Sequence, residues 1–148
     1  MRREVLWASV LRVLGDVEVL DVAYMWRRHR WSIPAGAVAG AVCGVLATLV
    51  GWSAASAVAI GLAALAVAVG AGTEYRVLAV TDRGLVLMKG GRVRQVARPP
   101  ADWLPDGIRV ERVANNLVVS DWMVGGDRFS VMRRHESTMS AIAASRST

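Results

Sequence analysis

Charge is missing from the middle of this chain. Between Arg30 and Glu74 there is no Asp, Glu, Lys or Arg, and the 43 residues at positions 31–73 are mainly Ala, Val, Gly and Leu. One membrane span takes about 20 apolar residues, so the gap is long enough for two. Near its centre, Gly51, Trp52, Ser53, Ala54, Ala55 and Ser56 form the one cluster of turn-forming and polar residues at which the chain can reverse. The spacing predicts helices over residues 34–50 and 54–72. A soluble protein with a buried helical hairpin is excluded on size, because the 75 residues that follow Thr73 cannot wrap two helices that are apolar on every side. A cleaved signal peptide is excluded as well, since its apolar region would run to roughly 7–15 residues and lie close to the terminus.

Other scarcities narrow the chemistry. Cys43 is the single cysteine, so no intrachain disulfide can form, and inside the first span it reads as a small apolar residue. Lys89 is the single lysine against 17 Arg, the bias of a high-GC bacterial genome. The arginines are interspersed with acids and form no long basic run, so nucleic acid is not the expected partner. His29 and His135 lie in arginine-rich surroundings with no Cys, His or carboxylate at metal-ligand spacing. There is no phosphate-binding Gly-Lys-Ser/Thr element and no GxSxG elbow. Asp102, Asp106 and Glu111 fall in or just after a proline-rich loop, where solvated surface is expected. No catalytic constellation, metal site or cofactor site is therefore expected, and the chain does not read as an enzyme.

Orientation follows from the arginines. The first 33 residues hold six Arg against four acids, the stretch after Thr73 holds twelve Lys and Arg against eight acids, and the connecting turn holds none. Arg27, Arg28 and Arg30 crowd the start of the first helix, and Arg76 and Arg83 follow the second. The excess of basic residues on the cytoplasmic side of membrane proteins then puts both termini in the cytoplasm of a two-span inner-membrane protein. The anionic inner leaflet becomes the expected lipid partner, at about 1 kcal/mol per basic residue held near it. Trp26 and Trp31 are expected at the inner interface before the first helix, Trp52 at the outer interface, and Tyr75 at the inner interface after the second. The 21 residues from Trp31 to Trp52 span about 31 Å at ~1.5 Å per residue, which matches a hydrocarbon core of about 30 Å.

Inside the hairpin, Gly36, Gly40 and Gly44 recur every fourth residue and so share one stripe of the first helix. The second helix answers with Ser53, Ala57 and Gly61 in one row and Ala64, Ala68 and Gly72 in another. Small residues let backbones approach closely, which argues for a tight pair within the chain, for self-association, or for docking against a protein partner in the membrane. No ionisable residue lies at mid-membrane, which argues against a proton relay or an ion path.

Ahead of the hairpin, residues 4–14 read as a short amphipathic helix at the lipid interface, with Val5, Leu6, Val10, Val13 and Leu14 at helical spacing and Arg2, Arg3 and Arg12 available for headgroups. Gly15 and Asp16 end it. Residues 17–24 are β-branched and loosely alternating, and fit either a strand or the start of a helix leading to Trp31. Ser32 followed by Pro34 marks the start of the first span. After Thr73 the texture changes to strands over residues 75–80, 85–89, 92–98, 108–113, 117–121 and 127–132, with Gly-Gly and Asn-Asn connections as hairpin signals. Residues 99–107 are expected as a loop and residues 136–145 as a closing helix.

The opening hairpin of this region, VLAVTDRGLVLMK, with its Thr81-Asp82-Arg83 turn, resembles the pleckstrin-homology-like or GRAM-like β-roll of small bacterial membrane proteins, chiefly over residues 80–87. The resemblance implies seven antiparallel strands and one C-terminal helix. Six are read from the pattern, so the seventh must come from a split near Trp122 or from residues 17–24. It also implies a membrane-proximal binding or scaffolding platform. Arg83, Lys89, Arg92, Arg94 and Arg98 are the candidate contacts to lipid phosphates or a partner, with Arg92, Arg94 and Arg98 expected on one face of a strand.

The expected architecture is thus an arm at 1–33, a transmembrane helical hairpin at 34–72, and a cytoplasmic antiparallel β-roll with a C-terminal helix at 73–148. The expected role is a non-enzymatic membrane-anchored binding or scaffold module, an accessory subunit of a larger assembly. The alternative is a small oligomeric pore or transport component.

Overall fold

The computed structural model describes residues 3–146. Among these the chain forms α1 (Arg3–Leu14), β1 (Val19–Arg28), α2 (Ser32–Leu49), α3 (Ala54–Ala71), β2 (Thr73–Thr81), β3 (Gly84–Gly90), β4 (Ala97–Trp103), β5 (Val110–Asn115), β6 (Val119–Val124), β7 (Asp127–Met132), a single 3-10 turn (Arg133–His135) and α4 (Glu136–Arg146). Contacts divide it into two units. One joins the chain up to Arg27 with the chain from Tyr75 onward, and the other is Arg28–Glu74. The segment expected as a separate arm thus folds, as far as Arg27, with the C-terminal strands.

The β unit is a seven-stranded antiparallel sheet in the order β4-β3-β2-β1-β7-β6-β5. Residues 17–24, open between strand and helix in the sequence, belong to a strand that starts at Val19 and runs on to Arg28. This strand occupies the middle of the sheet. Without it the remaining six form two separate ladders, β2-β3-β4 and β5-β6-β7. Its neighbour β2 follows it in sequence only after the whole helical hairpin, so the hairpin is an insertion between two adjacent strands.

Alternating side chains divide into two cores on opposite faces of the sheet. Ala23, Met25, Leu78, Leu85, Trp122, Phe129 and Val131 face α4, which contributes Met139 and Ile142. Val22, Tyr24, Val77, Ala79, Val86 and Met88 face α1, which contributes Leu6 and Val10. The face of α1 expected to meet lipid is therefore packed against the sheet, because Leu6, Val10, Trp7, Val13 and Leu14 find protein there; Val5 and Leu11 remain exposed. Of the basic residues expected beside it, Arg2 lies outside the described residues. Val19 and Val22 belong to the same core although three residues apart, and between them the Val22 N–H donates to Asp21 Oδ1 at 2.8 Å.

Strand β4 corrects the sequence reading most. Residues 92–96 form a turn, and the strand runs over Ala97–Trp103, through Pro99 and Pro100, which were expected in a loop. Proline lacks an N–H and is tolerated where a strand has only one partner, and β4 is an edge. Helix α1 covers that edge: the Ala97 N–H donates to the buried Ser9 Oγ at 2.8 Å. Trp122 lies in β6, which begins at Val119, two residues later than expected.

In the other unit, α2 and α3 have 18 residues each and carry no charge, and both are long and apolar enough to cross a membrane. Each measures about 27 Å at ~1.5 Å per residue. Pro34 falls in the first turn of α2, where its missing N–H would have had no helical partner. The second helix begins at Ala54, as the sequence suggested, and the first ends at Leu49, so residues 50–53 make the reversal. Ser53 caps α3 by accepting the Ser56 N–H, and Gly51 takes a φ of +88° that a side chain would resist.

Candidate functional site

Close approach of the two helices rests on the predicted small residues. A Cβ built on Gly40 would stand 2.7 Å from the Gly61 carbonyl oxygen, and one on Gly61 would stand 2.8 Å from the Gly40 oxygen. The backbones thus meet at this pair, reciprocally. A Cβ on Gly36 would reach Val69 Cγ2 at 2.9 Å and the Leu65 oxygen at 3.2 Å, while Gly44 has slightly more room against Ala57, which is itself buried. At the open ends of the hairpin the His29 N–H donates to the Gly72 oxygen at 3.0 Å, and Gly72 leaves room for Ser32. Beside the glycine contact runs a groove of about 570 Å³, lined by Ala37, Ala41, Val45, Thr48, Val58 and Leu62 among others.

The aromatic markers separate into two groups. Trp31 and Trp52 are exposed at the two ends of α2. Tyr75 lies in β2, where the sequence predicts a strand, and Trp26 lies in β1, because that strand runs on to Arg28. Tyr75 stacks on Tyr24 with ring centroids 5.9 Å apart. Tyr24, which the sequence did not single out, donates its hydroxyl to the Gly91 carbonyl at 2.8 Å. Burial, reinforced by Tyr75, pushes the Tyr24 hydroxyl from 10.0 up to about 12, so at neutral pH it remains a donor.

That bond fixes the base of the β3–β4 turn. Gly91 N–H donates to the Val96 oxygen, Gln95 N–H donates to the Gly91 oxygen, and Gln95 sits at a φ of +42°. The structure gathers four of the five predicted basic contacts around this turn. Arg92 and Arg94 lie within it, exposed, and Lys89 is the cross-strand partner of both Arg76 on β2 and Arg98 on β4. Arg92, Arg94 and Arg98 do not share a strand face, since only Arg98 is in a strand. Arg76, Lys89 and Arg98 thus stand side by side across three neighbouring strands. Arg83 is apart from them, in the turn that joins the other ends of β2 and β3, where its N–H donates to Thr81 Oγ1.

Opposite charge is used elsewhere. Asp121 accepts from Arg128 at 2.6 Å and from Ser130 at 2.7 Å. Burial disfavours its charge, but these bonds and the Arg128 charge outweigh that, so its carboxyl lies below the usual value. Arg112 and Arg133 converge on Glu136 at the start of α4. Among the described residues no group of three His, Cys, Asp or Glu is placed to hold a metal ion. His135 is buried in the 3-10 turn, and Cys43 is half-buried on α2.

Comparison with family models, curated proteins and solved structures gives no match for this chain.

Proposed function

We propose that the chain is a non-enzymatic scaffold or binding module of the bacterial inner membrane, anchored by α2 and α3 and presenting a pleckstrin-homology-like β-roll on the cytoplasmic side. The observation that carries this reading is the place of the hairpin between adjacent strands β1 and β2. Because β1 is hydrogen-bonded within the same sheet as the C-terminal strands, both arms of the hairpin must lie on one side of any bilayer that the helices cross. The arginine excess of both arms makes that side the cytoplasm. Seven strands and one closing helix are the number the β-roll resemblance requires, with β1 as the seventh.

Two features support accessory binding over pore formation. The hairpin groove is lined by small and aliphatic residues that suit another helix, whether from a protein partner or a second copy. No charged residue lies on α2 or α3 to line a path. Solubilisation in mild detergent should yield the chain with a stoichiometric membrane protein or as a defined homo-oligomer. Liposomes holding only this chain should show no ion flux. Recovery as a lone monomer would defeat the scaffold reading, and selective flux would replace it with the pore.

A further inference from the structure

Outside the hairpin, the three most exposed large aliphatic side chains among the described residues are Leu117 at 92%, Val93 at 89% and Val118 at 71%. They belong to two turns far apart in sequence. Val93 is at the tip of the β3–β4 turn, between Arg92 and Arg94, and Leu117 with Val118 forms the β5–β6 turn.

The 3-10 turn ties these two turns together. Arg134 donates to Gln95 Oε1 at 2.8 Å on one side. On the other, Arg133 donates its side chain to the Asn116 oxygen at 3.3 Å and its backbone N–H to the Val118 oxygen at 3.2 Å. Consecutive residues thus hold both tips. The resulting surface carries aliphatic tips and four arginines, at 92, 94, 133 and 134, and neither turn contains an acid. Glu136, the nearest acid in sequence, is engaged by Arg112 and Arg133.

We infer that this two-turn surface docks on an anionic lipid bilayer, with Val93, Leu117 and Val118 dipping into the headgroup region and the arginines contacting phosphates. Exposed aliphatic tips ringed by cations are the composition of an interfacial membrane contact. A fluid anionic surface complements a patch that carries a single sign of charge and needs no matching shape. The inference rests on the reading that α2 and α3 cross a bilayer.

The test uses the full chain with Cys43→Ala and single substitutions Val93→Cys, Leu117→Cys, Asp82→Cys and Val58→Cys, each labelled with an environment-sensitive fluorophore. The proteins are reconstituted into phosphatidylcholine vesicles with or without phosphatidylglycerol, including lipids spin-labelled near the headgroup or deep in the chain. Positions 93 and 117 should be quenched severalfold more by the shallow label than position 82, more strongly with phosphatidylglycerol, and less after Arg92→Gln with Arg94→Gln or in high salt. Deep quenching at Val58 reports the span independently. Quenching at 58 with 93 and 117 no different from 82 overturns the surface inference alone, and so does protection of 93 and 117 only when a co-purified protein is present. Absence of quenching at 58 removes the membrane reading and this inference with it.

Discussion

At the residue scale, two contacts carry consequences that a single substitution exposes. The reciprocal approach of Gly40 and Gly61 leaves no room even for a methyl group, because the obstacle on each side is a backbone carbonyl that cannot rotate away. Gly40→Leu should therefore force the helices apart. Overpacking of this kind costs typically about 1–3 kcal/mol, read as a lowered thermal midpoint in detergent, whereas Leu46→Ile, on an exposed position of α2, should leave the midpoint unchanged. An unaltered midpoint for Gly40→Leu would mean that the glycine row is not the packing seam. Tyr24→Phe removes the hydroxyl that holds Gly91 and should cost about 1 kcal/mol near neutral pH. Its pH dependence has a definite sign. The folded value is raised, so the contribution of Tyr24 is complete below pH 10 and declines as pH climbs through about 12. Denaturation measured across that interval should show the wild type losing its advantage over Tyr24→Phe.

At the element scale, β1 is the decisive piece. Its side chains feed both cores, with Met25 and Ala23 on one face and Val22 and Tyr24 on the other, all buried. Removing it exposes both cores and cuts the sheet into two three-stranded ladders. A fragment of residues 75–148 should aggregate or remain unfolded, and joining residues 1–30 to it through a flexible linker in place of the hairpin should restore a cooperative transition. A dispersed, cooperatively melting fragment without β1 would contradict that dependence. Helix α1 has a related part, since Ser9 satisfies the Ala97 N–H on an edge strand and so blunts an edge that would otherwise template pairing with other chains. The prolines of β4 act in the same direction, as they remove donors from that edge.

At the scale of the whole molecule, the inserted hairpin couples folding to topology. On the proposed membrane reading, the β unit can assemble only when residues on both sides of the hairpin are on the same face of the bilayer. With Cys43→Ala as background, a cysteine at Ser53, in the turn between the helices, should react with an impermeant thiol reagent in intact cells, and a cysteine at Ser130 should react only after the cells are opened. The reverse pattern would invert the proposed orientation while leaving both arms on one side. Labelling of neither site in intact cells but of both after lysis would show that the helices do not cross.

Much of this was legible from residue order alone. The chargeless stretch determined two apolar helices, because an uninterrupted run of apolar residues broken once by a turn cluster is written residue by residue. Gly40 and Gly61 were legible for the same reason, as helical spacing fixes which residues share a stripe. Strand β7 and helix α4 were set by local pattern. What only the tertiary structure decided is non-local. Whether residues 17–24 became strand or helix depended on the gap between two ladders nearly fifty residues and more away, which β1 fills and which no window of sequence contains. The prolines in β4 read as loop because their tolerance depends on the strand being an edge. The surface of Val93, Leu117 and Val118 was invisible because its turns are brought together by Arg133 and Arg134, whose hydrogen bonds exist only after the sheet has formed. Local sequence sets what each segment can be; the partners available in the folded sheet choose among those possibilities.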